Sequence, residues 1–238
     1  MRINRRISRY RQIGETLARH GFGYLIEQLD LHHLLPARRR WFRRTDPPKS
    51  TPLGERLRHL IEELGPTYVK LGQVLSTRAD LLPPAITAEL RRLHDAVPPF
   101  ATEEAKRLIE EELGRPLGEV FAYFSEEPLA AASIAQVHRA TLHSGEEVVV
   151  KVRRPGIERL IETDIDMLAG LAHLVRERLR PEIVDPVQIV HEFARVIRRE
   201  LDLRVEGRHT QRFHEAFQGE EGVRVPKVYW EYSGERVL

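Results

Sequence analysis

A pattern of alanines followed by a lysine is the part of the sequence whose spacing best fits a chemical role. Alanines occupy the three glycine positions of the G-x-G-x-x-G-x-V nucleotide loop, in the order Ala130-x-Ala132-x-x-Ala135-x-Val137. Fourteen residues later, Lys151 follows three valines, as does the strand lysine that holds ATP phosphates in such sites. The pattern predicts nucleotide binding. The predicted contacts are Ala130, Ala131, Ala132, Ser133, Ala135, Gln136, Val137 and Lys151.

Alanine in place of glycine restricts the backbone of this loop. A residue with a Cβ pays roughly 1–2 kcal/mol in a left-handed conformation, which glycine adopts freely. The alanines therefore predict a loop with negative φ, such as a helical turn over the phosphates, and an altered nucleotide geometry or selectivity. The alternatives are that Ala130–Ala135 is a packing segment of small residues and that Lys151 is a solvated charge.

A lysine that holds phosphates needs a carboxylate partner. Glu200 and Glu206 both lie on a helix predicted over 187–217, and the spacing leaves open which of them pairs with Lys151. Arginines surround Glu200 and Asp202, so a solvated helix face laced with salt bridges is the alternative interpretation.

A second polar pattern, Lys70-Leu71-Gly72-Gln73, falls in the middle of a predicted helix. Gly72 costs about 1 kcal/mol there relative to alanine, which indicates a packing reason for the glycine. From spacing alone, this is also an ordinary amphipathic helix.

Taken together, these patterns resemble the UbiB (AarF-type) family of atypical protein-kinase-like proteins, which support ubiquinone and related isoprenoid-quinone metabolism. The sequence matches the K-x-G-Q motif at Lys70, Gly72 and Gln73, the alanine-rich loop at 130–138, the nucleotide lysine at Lys151, and the E-x-D motif at Glu200-Leu201-Asp202. The resemblance covers residues 54–238 well and the first 44 loosely.

The resemblance implies an α+β fold: a protein-kinase-like N-lobe, with a small antiparallel sheet and a long αC-like helix, preceded by a helical N-terminal extension. Lys151 would contact ATP phosphates, and Glu200 would pair with Lys151 or help order the loop. A regulatory set would line or face the K-x-G-Q helix, which packs where a protein substrate would sit. This set is Lys70, Gly72, Gln73, Asp202 and Glu206.

The resemblance also implies partners and a limit on activity. ATP is the expected ligand, with magnesium only in the full-length protein and no other metal. Further expected partners are an anionic membrane surface or a quinone-pathway lipid, and a missing C-lobe or partner chain. The catalytic-loop aspartate and D-F-G are not found in the 238 residues, so the C-lobe is expected to be absent and the chain inactive alone.

Four segments follow from periodicity and turn residues. Residues 1–44 are a basic helical arm, 45–52 a proline-rich linker, 53–125 a helical extension with the K-x-G-Q motif, and 126–238 the kinase-like N-lobe. Within the N-lobe, the patterns predict a hairpin around Ser144-Gly145, helices at about 156–179 and 187–217, and strands near 223–230 and 235–238.

Composition excludes several other functions. The chain has no cysteine, which removes disulfides and thiolate chemistry, and no apolar run long enough to span a bilayer. Residues 1–44 carry a net charge of +8 and the remainder −6, so a membrane- or partner-binding scaffold is the alternative function. Nucleic-acid binding lacks an aromatic platform, and scattered histidines argue against a metal hydrolase. The expected location is cytoplasmic, including a peripheral place at the inner face of the membrane.

Overall fold

The structure, a computed structural model, describes residues 2–29, 51–94, 97–179 and 185–238. The chain divides into two compact units, the first formed by residues 1–94 and 159–194 and the second by residues 95–158 and 195–238. Most of the predicted linker at 45–52 lies outside the described residues. The four predicted segment boundaries stay predictions.

The described chain is mainly helical, with one small sheet. In chain order the helices are α1 (Arg2–Arg19), α2 (Gly23–Gln28), α3 (Leu53–Leu64), α4 (Pro66–Ser76), α5 (Pro84–Leu90), α6 (Thr102–Leu113), α7 (Leu117–Val120), α8 (Ile157–Leu179), α9 (Pro186–Leu201) and α10 (Leu203–Ala216). The strands are β1 (Phe121–Phe124), β2 (Ala130–Ala131), β3 (Ala135–Leu142) and β4 (Glu147–Arg153). A short 3-10 helix covers Trp230–Tyr232.

In the first unit, a sharp corner joins α3 to α4. Leu60, Ile61 and Leu64 form a buried apolar stripe on α3. Gly65 then takes a φ of 95°, which favours glycine, and Pro66 opens α4 at its first position, where a missing N–H costs nothing. The corner therefore sets the direction of the helix that carries the K-x-G-Q motif.

A buried ion pair ties α1 to this corner. Arg9 donates from Nε and Nη2 to the two carboxylate oxygens of Asp164 at 2.7 and 2.8 Å, and Asp164 is fully buried. Thr67, in the first turn of α4, donates its hydroxyl to Asp164 Oδ2 at 2.6 Å. Arg9 also donates to the carbonyl of Leu64 at 2.7 Å. One carboxylate thus joins α1, α4 and α8.

The second unit is built on an antiparallel sheet centred on β3. On one side, β1 and β2 pair with successive parts of β3; on the other, β4 pairs along its whole length. Val237 then forms an isolated bridge with Val152 of β4. The predicted hairpin around Ser144-Gly145 is present, and Gly145 has a φ of 97° in its turn. A small antiparallel sheet with flanking helices confirms the predicted α+β class.

One face of the sheet packs against α6 to form the core of this unit. Side chains alternate between faces along a strand, so Val148, Val150 and Val152 share the inner face. They pack with residues of α6, α7, β1 and β3: Ala105, Leu108, Ile109, Val120, Phe121, Phe124, Ala140 and Leu142. Lys151 therefore belongs to the opposite face.

Three predicted elements differ in the structure. The helix expected over 187–217 is two helices, because Asp202 has an extended backbone (φ −92°, ψ 97°) and its side chain caps a new helix. No strand forms within 223–230, where Pro226 lacks an N–H and His214 Nδ1 donates to the carbonyl of Val225. Of the strand expected at 235–238, a single bridge at Val237 is present.

Candidate nucleotide site

The alanine-rich segment forms a tight hairpin between β2 and β3. Ala130 lies opposite Val137 and Ala131 opposite Gln136, and the Ala132 N–H donates to the carbonyl of Ala135 at 2.8 Å. The predicted helical turn is wrong, because strand pairing satisfies the backbone groups on both sides of the turn. At its tip, Ser133 and Ile134 are buried.

Lys151 lies in register with this hairpin. Ala130, Val137 and Lys151 are directly opposite one another on three adjacent strands, so they form one row on the same face of the sheet. Leu238 holds the Lys151 backbone by two hydrogen bonds, of 2.7 and 2.9 Å. The sequence pattern placed these groups in order along the chain, and strand pairing brings them side by side.

Both side-chain hydrogen bonds of Lys151 go to Glu206. The ammonium nitrogen lies 2.8 and 2.6 Å from the two carboxylate oxygens. The side chains are 27% and 47% exposed, and an ion pair so open to solvent adds little to stability, so its effect is to orient the ammonium. Of the two carboxylates left open by the sequence, Glu206 is the partner. Glu200 lies in the last turn of α9, and its alternative role in ordering the loop stays a prediction.

Asp202 places Glu206 by starting the helix that carries it. The Asp202 carboxylate accepts from the backbone N–H of Arg204 at 3.1 Å, which is the bond of an N-cap. Arg204 also donates from its guanidinium at 2.8 and 3.0 Å, and this hydrogen bonding lowers the pKa of Asp202. Glu206 follows one turn later. The aspartate of the E-x-D motif is thus a helix cap in this structure.

Arg153, two residues beyond Lys151 on β4, holds the junction between α9 and α10. It is almost fully buried, and it donates to the carbonyl of Leu201 at 2.8 Å and to Glu235 at 3.0 Å. The Leu203 N–H donates to the carbonyl of Glu235 at 3.0 Å. These long-range bonds hold the end of α9 and the start of α10. Sequence reasoning missed Arg153. The usable signal was its place two residues after Lys151, which puts both side chains on the same face of one strand.

The Gln136 side chain faces away from Lys151, into a buried polar chain. Its amide oxygen accepts from the Phe100 N–H at 3.0 Å, and its amide nitrogen donates to the Phe100 carbonyl at 3.3 Å and to His138 Nε2 at 2.8 Å. His138 Nδ1 donates to the Ser125 carbonyl at 3.0 Å. These hydrogen bonds account for every polar atom of the Gln136 side chain. Its predicted nucleotide contact stays a prediction.

The K-x-G-Q motif lies on α4 of the first unit. A Cβ on Gly72 would meet Leu93 Cδ1 at 2.4 Å, so this glycine has the packing reason that its position indicated. Gln73 reaches the Leu93 carbonyl at 3.5 Å, and Lys70 is half-buried. The regulatory role of Lys70, Gly72 and Gln73 stays a prediction.

Two other features, a metal site and a membrane-spanning helix, are absent from the described residues. There, no three His, Asp or Glu side chains are grouped so that they could hold a metal ion. Among the helices of residues 2–29, 51–94, 97–179 and 185–238, none has the length and apolar composition to cross a membrane.

A small antiparallel sheet, a hairpin at the phosphate-loop position and a strand lysine paired with a helix glutamate define a protein of the kinase-like class. A structural neighbour agrees: the complex of Rv3197 with erythromycin from Mycobacterium tuberculosis aligns at a TM-score of 0.52 and 27% identity, over 75% of this chain and 45% of that one. Residues 92–238 match the ABC1 atypical kinase-like domain, so the chain belongs to the ABC1 family of atypical kinase-like proteins, which includes UbiB.

Curated relatives lie within the same family. The chain is 44% identical over 211 residues to a probable protein kinase UbiB of Pseudomonas fluorescens, covering 88% of this chain and 39% of that protein. It is 48% identical over 187 residues to the UbiB of Pseudomonas paraeruginosa, covering 78% and 35%. It is 46% identical over 182 residues to the chloroplastic protein Activity of BC1 Complex Kinase 7 of Arabidopsis thaliana, covering 76% and 26%. The chain thus spans two fifths or less of the length of these relatives.

Proposed function

We propose that this chain is the ATP-binding N-terminal portion of a UbiB-type atypical kinase or ATPase that supports the biosynthesis of ubiquinone or another isoprenoid quinone. The observation that carries the nucleotide part is the pair of Lys151 with Glu206, in one row with Ala130 and Val137 of the alanine-rich hairpin. The quinone part rests on the shared motifs and on the UbiB relatives.

Lys151 has the chemistry to hold a phosphate. An ammonium group has three N–H donors, and Glu206 takes two hydrogen bonds, which leaves one donor for a phosphate oxygen. Glu206 also keeps the lysine pointing in one direction, so less side-chain entropy is lost when the nucleotide binds. The alanine Cβ atoms limit how closely the hairpin backbone approaches the phosphates.

Phosphoryl transfer needs further groups that this sequence does not supply. The 238 residues contain neither the H-R-D-x-x-x-x-N motif nor D-F-G, which position the nucleophile and magnesium in kinases. We therefore expect nucleotide binding with negligible turnover from the purified chain. Robust hydrolysis of Mg-ATP by this chain would contradict that expectation.

Titration with a fluorescent ATP analogue tests the proposal. Lys151→Ala should abolish binding, and Glu206→Gln should weaken it. Lys106→Ala is a matched control, because Lys106 also pairs with a glutamate, Glu126, at 2.5 Å and is equally exposed at 28%. Equal binding by Lys151→Ala and wild type, or equal losses in Lys151→Ala and Lys106→Ala, would refute the nucleotide site.

The same variants address the scaffold alternative. The basic arm at 1–44 would dock on anionic lipid through its arginines, a contact that does not involve Lys151. Sedimentation with vesicles of phosphatidylglycerol and phosphatidylcholine measures it. Lipid binding that is unchanged in Lys151→Ala, together with no nucleotide binding by the wild type, would favour the scaffold.

A further inference from the structure

Arg154, the first residue after β4, has a partly buried guanidinium group with an unusual set of partners. Among the residues that the structure describes, no carboxylate pairs with it, and its Nε is buried without a hydrogen-bond partner. Burial lowers the pKa of this guanidinium. Buried charges are normally paired, so an arginine with no carboxylate partner among the described residues needs another explanation.

Arg154 contacts two segments, the alanine-rich turn and residues 98–100. Its Nη2 donates to the carbonyl of Ala132 at 3.3 Å and to that of Pro98 at 3.0 Å. Its backbone N–H donates to the carbonyl of Ile134 at 2.8 Å. The guanidinium carbon lies 5.3 Å from the centre of the Phe100 ring. Arg154 therefore bonds the turn at Ala132 and Ile134.

The segment at 98–100, which Arg154 contacts, is itself hydrogen-bonded to β3 of the hairpin. Gln136 of β3 bonds both backbone groups of Phe100, at 3.0 and 3.3 Å. Arg154 stacks on the ring of the same residue, so Phe100 is held from the strand and covers the guanidinium. This arrangement gives Arg154 a firm base from which to hold the turn.

The side chains of Arg153 and Arg154, at the end of β4, lie on opposite faces of the sheet. Successive side chains on a strand point to opposite faces, so Arg153 shares the face of Lys151 and Arg154 the other. Arg153 bonds the Leu201 carbonyl at the E-x-D corner, whereas Arg154 bonds the Ala132 carbonyl. The junction of α9 with α10 and the alanine-rich turn are thus bonded by the two arginines that follow Lys151 two and three residues later in the sequence.

We propose that Arg154 is a positioning residue for the nucleotide site, which holds the alanine-rich turn in one conformation and thereby sets the affinity for nucleotide phosphates. The proposal rests on the nucleotide site proposed above. Hydrogen bonds from a charged donor are stronger than neutral ones, so the carbonyl of Ala132 is fixed more firmly than solvent would fix it. The loop lacks glycine, and Arg154 restricts it further.

Hydrogen–deuterium exchange of the turn tests the positioning role without any nucleotide. In Arg154→Gln, the Ala132 amide, which bonds the Ala135 carbonyl, should exchange about tenfold faster, as expected for loss of a charged hydrogen bond. Arg154→Lys should restore part of the protection, because it keeps the charge but has no fork of donors. The Leu129 amide, which bonds the Val137 carbonyl, serves as an internal reference and should change little.

A matched control separates local from general effects. Arg115 also stacks on an aromatic ring, at 5.4 Å from the centre of Tyr232, and donates to a backbone carbonyl, that of Glu231, at 3.3 Å. Arg115→Gln should leave exchange in the turn unchanged. Unchanged exchange at Ala132 in folded Arg154→Gln, or an equal rise in Arg115→Gln, overturns the proposal.

Affinity for the fluorescent ATP analogue is the second measurement. Arg154→Gln should weaken binding about five- to tenfold, and the effect of Ala132→Gly on affinity should be smaller in that background, because the turn is already released. If wild-type binding depends on Lys151, and Arg154→Gln exchanges faster at Ala132 but keeps its nucleotide affinity, the positioning role of Arg154 is overturned while the nucleotide site stands. No binding by the wild type overturns the nucleotide site, whatever the exchange data show.

Discussion

Replacing Asp202 by alanine is expected to loosen the start of α10 and thereby release Glu206 from Lys151. The Asp202 carboxylate accepts the N–H of Arg204, one of the N–H groups at a helix start that lack a partner within the helix. Without the cap, the first turn of α10 opens more often. Glu206 lies in that turn, so its pair with Lys151, at 2.6 Å, opens with it.

The size of the effect follows from the value of an N-cap. Loss of a capping side chain costs about 1 kcal/mol, within a range of about 0.5–2 kcal/mol. One kcal/mol changes an opening equilibrium about fivefold, so the amides of Arg204 and Val205 should exchange about fivefold faster. For a chain of this size, the midpoint of thermal unfolding should fall by about 2–4 °C. Exchange measured by NMR and melting followed by circular dichroism give these quantities.

Two kinds of variant isolate the cap. Asp202→Ser keeps a capping oxygen without the charge and should retain most of the protection. Asp80→Ala removes a similar pair, with Arg78 at 2.9 and 2.7 Å, from a turn and should leave α10 unchanged. If Asp202→Ser exchanges as fast as Asp202→Ala, or if Asp202→Ala exchanges like wild type, the capping explanation is refuted.

The same residue predicts a pH dependence with a definite sign. Hydrogen bonding by Arg204 lowers the pKa of Asp202 below its ordinary value of 3.8. A carboxyl whose pKa is lower in the folded state stabilises that state above the unfolded pKa, and the stabilisation is lost as the pH falls through the folded pKa. The difference in stability between wild type and Asp202→Asn should therefore be largest at neutral pH, and it should shrink as the pH falls below about 4. A difference that grows on acidification would contradict this.

Two further predictions concern packing in the first unit. Gly72→Ala should destabilise the protein by about 1 kcal/mol, because overlap of the new Cβ with Leu93 outweighs the gain in helix propensity. Gly170→Ala is the control: its Cβ would meet nothing within 4 Å, so it should stabilise the protein by about the same amount. Equal melting temperatures of the two variants would contradict this. Asp164→Asn should cost about 3–5 kcal/mol in urea unfolding, because Arg9 is left without its buried counterion, and a loss below about 1 kcal/mol would show that water compensates.

Local chemistry made much of the site predictable. The turn at Ser144-Gly145 and the valine run before Lys151 identified a hairpin and a strand, since period-two alternation and turn residues act over a few positions. Gly72 was recognised as a packing glycine from its cost in a helix, and Leu93 supplies the contact. The helical turn expected at the alanines was wrong because a conformational penalty limits a loop without choosing among the shapes that remain.

Long-range bonds account for what the patterns missed. A single helix over 187–217 satisfied the periodicity, but Asp202 caps a new helix at a corner held by Arg153 and by the carbonyl of Glu235. No window of sequence contains both sides of these contacts. Arg153 and Arg154 were overlooked for the same reason, because their partners lie about 20 to 80 residues away in the chain.

The sequence by itself determined the family and the types of group at the site, because each motif is short and keeps its spacing along the chain. Tertiary structure decided that Lys151 pairs with Glu206 rather than Glu200, and that Gln136 faces the core while Val137 shares the row of Lys151. The physical reason is that spacing sets which residues are available, whereas strand register and helix caps set which of them meet.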